Sequence, residues 1–233
     1  EGIRIGITDY LLKPIASAKL LEAVKKVGEL VVEERQFQET FDQERRESLQ
    51  IARQKFFRGL VLGRKSVSTL LGEGRELGLD LVANRYNILL FQISAADDRE
   101  EYLETYGRAV SEIKERAAAC PEILMVELGM EGWAFILMEK EEKDLDEVQR
   151  EFIGLLKDIL SGFEGIKYFG GLGTPAGRLS ELNKCYEEAG HAFAYRYLRE
   201  DDQIMRSGDL PDRTHSQEEP DLRSLEVGKL DRR

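Results

Sequence analysis

The chain has 233 residues, 42% of them hydrophobic and 34% charged, and its 45 acidic side chains outnumber the 34 basic ones, giving a formal net charge of −11. This composition is typical of an ordered globular protein, and the acidic balance argues against direct binding to the phosphates of DNA. Two cysteines are too few for a disulfide scaffold, and no apolar segment reaches the ~18 residues of a membrane helix. We therefore expect a cytoplasmic protein without a membrane partner.

The first predicted elements are a short strand and a long helix. The strand covers Thr8 to Leu12, and the helix begins at Ser17 and continues to about Leu62. An apolar stripe at 4, 3, 4 spacing opens the helix and consists of Leu20, Val24, Val27 and Val31. The stripe continues imperfectly, through the polar residues Glu34, Gln38, Arg45 and Ser48. We predict a two-stranded coiled coil of modest strength that joins two copies into a homodimer. The alternative is a helix that lies along its own domain.

After a turn and a short helix, the main body of the chain alternates between strands and helices. The predicted order is strand, helix, strand, strand, helix, strand, helix, strand, and the hairpin between the second and third strands is GMEG, from Gly129 to Gly132. The last helix is predicted to bury Leu182, Cys185, Ala189, Phe193 and Tyr197. This order predicts an α/β fold in which helices cover a mixed sheet, preceded by a long helix.

The opening stretch GITDYLLKPI, from Gly6 to Ile15, and the amphipathic helix after it resemble the last strand and helix of the receiver domain of two-component response regulators. The resemblance implies that Lys13 is the receiver's active-site lysine, Tyr10 its switch aromatic, and Pro14 the proline that follows the lysine. It also implies that the acidic phosphorylation site precedes Glu1, in an intact receiver domain served by a sensor histidine kinase. We therefore expect this chain to be a piece of a longer protein. Taken alone, Lys-Pro after a strand indicates only a strand end, and the tyrosine a packing residue.

A second resemblance begins at about Phe56. The stretches RQKFFRGLVLGR, GWAFIL, GGLG and LNKCYEEAGHAFAYRYL resemble the middle region of response regulators with an AraC-type DNA-binding domain. That middle module is similar to a degenerate GGDEF domain, so the resemblance implies a GGDEF/ferredoxin-like fold. It also implies that DNA is bound only through a domain outside this chain.

The resemblance places this chain's residues against the catalytic positions of a diguanylate cyclase. An active cyclase needs acidic ligands for the metal ions that hold the triphosphate. Gln92 stands at the metal-binding aspartate, and Glu131 and Gly132 stand in the signature hairpin, with Gly132 at the catalytic acid. We therefore expect no catalysis, no metal site and no cofactor.

The motif GLGTPA, from Gly171 to Ala176, matches the dinucleotide-binding pattern G-x-G-x-x-A after a strand. Pro175 interrupts the pattern, and too little chain follows for another β-α-β unit. We favour a strand-to-helix loop, with nucleotide binding as the alternative.

These observations divide the chain into four predicted segments: a receiver remnant at 1–28, a signalling helix at 29–62, a degenerate GGDEF-like domain at 63–206 and a polar tail at 207–233. We predict a regulatory, signal-transmitting and dimerising segment of a response regulator transcription factor. The alternative is a domain that senses a small effector or nucleotide in the degenerate cyclase cleft.

Overall fold

The fold is described here from a computed structural model, over residues 17–96, 100–140, 143–197 and 203–209. The helices are α1 Ser17–Val61, α2 Val67–Glu76, α3 Glu100–Ala118, α4 Leu145–Ser161 and α5 Leu182–Ala194. The strands are β1 Tyr86–Ala95, β2 Ile123–Glu127, β3 Trp133–Met138, β4 Ile166–Leu172 and β5 Gln203–Arg206. From β1 to β5 the order of strands and helices is the predicted one.

The five strands form one mixed sheet in the order β2-β3-β1-β4-β5. The pairs β2–β3, β3–β1 and β1–β4 are antiparallel, whereas β4 and β5 are parallel. The first four strands and the helices α3 and α4 follow the β-α-β-β-α-β order of ferredoxin-like folds, to which α5 and β5 are added. The predicted fold class, an α/β fold with a mixed sheet and a long preceding helix, is confirmed.

Helices cover both faces of the sheet. Alternate residues of β1 point to opposite faces, so each set of side chains packs against a different group of helices. Ile88 and Leu90 pack on one face with the end of α1, α2 and α5, whereas Leu89 and Phe91 pack on the other with α3 and α4. The start of α4 follows its sequence signal, since Asp144 Oδ1 accepts a hydrogen bond from the Glu147 backbone N–H over 2.8 Å. β1 is thus buried on both faces, as its continuous apolar run predicts.

The long helix α1 has two different parts. From Val24 to Leu49 every residue is exposed, with Val24 64% and Phe37 72% exposed. Beyond Gln50 the helix enters the domain, and Phe56, Phe57 and Leu60 belong to the core. The predicted segment boundary at residue 28 falls inside this single helix, and the four segments stay a prediction.

One residue predicted to be buried is not. Leu182, Cys185, Ala189 and Phe193 are buried, whereas Tyr197 is 78% exposed. The α-helix ends at Ala194 and a 3-10 turn, Tyr195–Tyr197, rotates Tyr197 away from the sheet. Its ring lies instead against the Arg196 guanidinium, 4.1 Å from the ring centroid.

Candidate functional site

The hairpin between β2 and β3 brings two of the predicted cyclase positions together. Glu131 ends a 3-10 turn, Gly129–Glu131, and the Leu128 N–H donates to Gly132 O over 2.8 Å to close the hairpin. Phe91, next to Gln92 on β1, pairs with Trp133 on β3. Gln92 and Gly132 are therefore neighbours across two strands, as the resemblance implies.

Gly132 has no room for a side chain. Its φ of +91° is a conformation that favours glycine, and an ideal Cβ built on it would overlap Phe91 O and lie 3.0 Å from Gln92 Cα. A carboxylate at this position would therefore require the hairpin backbone to move away from β1.

Gln92 holds the hairpin through a side-chain hydrogen bond. Its Nε2 donates to the Met130 carbonyl over 3.0 Å, which ties the tip of the hairpin to β1. Met130 itself is 96% exposed. Gln92 is thus a structural tie between strand and hairpin.

A cleft of about 190 Å³ lies beside this tie. It is bordered by Gln92, Lys114, Glu127, Met130 and Trp133, among others. Glu127 is the one carboxylate on its wall within the described part of the chain, and Lys114 Nζ lies 2.8 Å from its Oε1. A divalent metal ion clamping a triphosphate needs several anionic oxygen ligands, so the donors present here do not fit such an ion.

Glu127 also contacts the long helix. Its second oxygen, Oε2, accepts a hydrogen bond of 2.7 Å from Gln50 Nε2 of α1. Sequence reasoning missed Gln50, Lys114 and Glu127 as a group. The partners lie far apart along the chain and match no motif, so no sequence signal could have found them.

The GLGTPA loop is closed to phosphate. Between residues 173 and 177 every backbone N–H has an acceptor inside the protein: the Thr174 N–H donates to the Glu188 carboxylate, the Gly177 N–H to the Glu181 carboxylate, and the N–H groups of Gly173 and Ala176 to β1 carbonyls. A phosphate would have to displace two carboxylates of like charge. The loop therefore follows the strand-to-helix interpretation.

The glycines of this loop serve packing. A Cβ on Gly171 would collide with Ala189 O and Phe193 N, and one on Gly173 with Cys185 O. Because these glycines have no side chains, α5 can approach β4 and the end of the sheet closely.

The end of β1 opposite the cleft carries a buried polar network. Asn87 Nδ2 donates to Gln149 Oε1 over 3.2 Å and to Gly173 O over 3.0 Å, and the Cys185 thiol donates to Asn87 Oδ1 over 3.0 Å. Asn87 Oδ1 and Cys185 Sγ also accept from the Ile88 backbone N–H. Burial raises the pKa of the Cys185 thiol from 9.0 to about 12, so this thiol stays protonated. The network secures the end of the sheet and is inert as a nucleophile.

Two larger cavities, of about 510 and 300 Å³, lie at this same end of the sheet. Ion pairs stand at their borders, Lys140 with Asp80 and Lys143 with Glu151. Neither cavity is lined by a residue predicted to belong to the cyclase site.

The order of strands and helices from β1 to β4 and the β2–β3 hairpin define a ferredoxin-like core. The sequence model of the GGDEF-like domain matches residues 63–195, more than half of the chain, and the chain belongs to this family. No curated protein matches the chain.

Three predicted site residues, Tyr10, Lys13 and Pro14, lie outside the described residues. Among the described residues, no group of three or more His, Cys, Asp or Glu side chains could hold a metal ion. None of the described helices is long and apolar enough to cross a membrane.

Proposed function

We propose that this chain is the regulatory, signal-transmitting and dimerising segment of a two-component response regulator transcription factor, without catalysis or DNA binding of its own. The observation that carries the proposal is α1, one helix that exposes apolar side chains in its first part and enters the core of the GGDEF-like domain in its last. A helix continuous with a domain core passes on displacement, because its hydrogen-bonded backbone resists bending. The proposal that a receiver domain and an AraC-type DNA-binding domain flank this segment rests on the sequence resemblance.

The partner of the exposed part of α1 is a second copy of the chain. Val24 and Val31 are one heptad apart, and Val27 and Phe41 are two heptads apart, so all four follow one seam. All four are exposed in the single chain. Pairing two such helices buries them, and each fully buried valine contributes roughly 1.5 to 3 kcal/mol.

Sedimentation equilibrium on the chain tests this pairing. The double substitution Val24→Lys and Val31→Lys places charge in the seam and should weaken dimerisation at least about tenfold. Val32→Lys is the matched control, since Val32 is also exposed but lies about 100° further round the helix. A wild-type chain that stays monomeric at high concentration would refute the dimer.

The absence of catalysis is supported by the replaced acids at Gln92 and Gly132 and by the lack of space at Gly132. Incubation with GTP and Mg²⁺ should yield no cyclic dinucleotide. Product that scales with enzyme concentration and disappears in the Gln92→Ala variant would overturn this part of the proposal.

The second candidate function is sensing of a small effector in the cleft. The lining of the cleft favours sensing, because Lys114 and Trp133 place a cation and an aromatic ring at its wall. Its volume of about 190 Å³ argues against nucleotides, since ligand pockets usually span about 300 to 1,000 Å³. Calorimetry against nucleotides and cyclic dinucleotides separates the two functions: saturable micromolar binding that Lys114→Met abolishes would establish sensing.

A further inference from the structure

The exposed part of α1 ends where the helix is bonded to the hairpin beside the cleft. Gln50 is the first residue after the exposed stretch from Val24 to Leu49 that is partly buried. Its Nε2 donates to Glu127 Oε2 over 2.7 Å. A displacement that travels along α1 therefore reaches Glu127 before it reaches the aromatic core.

Glu127 joins three elements through one carboxylate. Oε2 accepts from Gln50 of α1, Oε1 lies 2.8 Å from Lys114 Nζ of α3, and the residue itself is the last of β2. In the β2–β3 register Glu127 is the partner of Trp133, which lines the cleft. Any shift of Glu127 thus moves the strand position opposite Trp133.

We infer that Glu127 is a positioning residue through which the position of α1 sets the width of the cleft. When α1 turns or tilts, Gln50 moves, and Glu127 either follows it or keeps its contact with Lys114. The Leu128–Gly132 hydrogen bond keeps the hairpin closed, so the hairpin moves as a unit. The inference rests on the proposed transmitting role of α1 and names the contact by which transmission enters the domain.

The contact is suited to breaking and re-forming. The side chains of Lys114 and Glu127 are 39% and 28% exposed, so water can replace either partner. Ion pairs at such exposure add little net stability. The hairpin can consequently change its attachment without unfolding of the domain.

Trp133 is the only tryptophan of the chain, so its fluorescence reports on the cleft without labelling. Gln50→Ala removes the bond from α1 and should raise quenching of Trp133 by acrylamide about twofold, as the hairpin loses one of its attachments. Hydrogen exchange of the hairpin amides should become about fivefold faster. Gln43→Ala is the matched control, because Gln43 lies on the exposed part of α1 and its side chain bonds within the helix, to Glu47.

A charge series distinguishes positioning from simple packing. Gln50→Lys places a cation beside the Glu127 carboxylate and should keep quenching at the wild-type value, whereas Gln50→Glu repels it and should exceed the Gln50→Ala effect. High salt should reduce the difference between these two variants. In a Glu127→Gln background the charge order should vanish.

Quenching in Gln50→Ala equal to wild type, or a series that does not follow charge, overturns the inference. The measurement is made below and above the concentration at which sedimentation detects a dimer. A chain that never dimerises but still shows the charge order refutes the dimer and supports the role of Glu127. A chain that dimerises without showing the charge order supports the dimer and refutes the role of Glu127.

Discussion

The two ends of β1 are held in different ways. At the beginning of β1, Asn87 is fully buried and forms hydrogen bonds with Gln149, Gly173 and Cys185. Towards its other end, Gln92 is tied to the exposed residue Met130, and the neighbouring Glu127 bonds to partners that water can reach. A buried network loses much when one member is removed, whereas exposed ties can be exchanged at little cost. One end of the sheet is therefore fixed and the other is adjustable.

The largest expected loss of stability comes from removing the buried network at the fixed end of β1. Asn87→Ala removes the partner of Gln149, Gly173 and Cys185 at once, leaving buried polar groups unpaired, and should lower the free energy of unfolding by about 3 to 4 kcal/mol. Urea denaturation followed by Trp133 fluorescence measures it. Asn84→Ala, at an exposed asparagine, should stay within about 0.5 kcal/mol. A loss under about 1 kcal/mol at residue 87 would remove the contrast between the two ends.

A smaller loss of stability is expected at the β2–β3 hairpin, which lies at the adjustable end of β1. Gly132→Ala places a Cβ against Phe91 O and should cost about 2 kcal/mol in unfolding free energy. Gly129→Ala is the matched control. Its φ is also positive, at +69°, but a Cβ there meets no atom within 4 Å, so the cost should be about 1 kcal/mol.

The same crowding predicts that restoring acids will not restore a cyclase. The double variant Gln92→Asp, Gly132→Glu should form no cyclic dinucleotide from GTP and Mg²⁺, because a side chain at position 132 would overlap Phe91 O unless the hairpin backbone moved. Measurable product from this variant would show that the hairpin can retreat from β1.

The smallest effect concerns the protonation of Cys185. The folded-state pKa of about 12 lies above the ordinary value of 9.0, so the stability is complete below about pH 9 and falls as the pH rises towards 12, by at most about 1.4 kcal/mol per pH unit. Cys185→Ser keeps a hydrogen-bond donor but does not titrate in this range. Urea midpoints between about pH 8 and pH 10 should therefore fall less steeply in the variant. Equal slopes would contradict the assignment of the titration to this thiol.

Local pattern was sufficient for the elements of this fold. The alternation of strands and helices, the GMEG hairpin, and the continuous apolar run of β1 each depend on residues close together in sequence. The proximity of Gln92 and Gly132 was implied by the family resemblance, and the pairing of β1 with β3 brings the two residues together.

Side-chain partners across long sequence distances could not be predicted. Asn87 reads as one polar residue in an apolar run, and its partners lie 62, 86 and 98 residues away. Gln50 and Glu127 are 77 residues apart. Tyr197 fits the spacing of a buried helical face, but the helix ends before it, and only the tertiary packing decides where it ends.

The length of α1 sets the ratio between movement at its outer end and movement at the hairpin. Val24 lies about 48 Å along the helix from Phe56, where α1 is held in the core, and Gln50 lies about 9 Å from it. In a tilt about Phe56, a movement of about 5 Å at Val24 would therefore move Gln50 by about 1 Å. A displacement of that size is enough to make or break a single hydrogen bond.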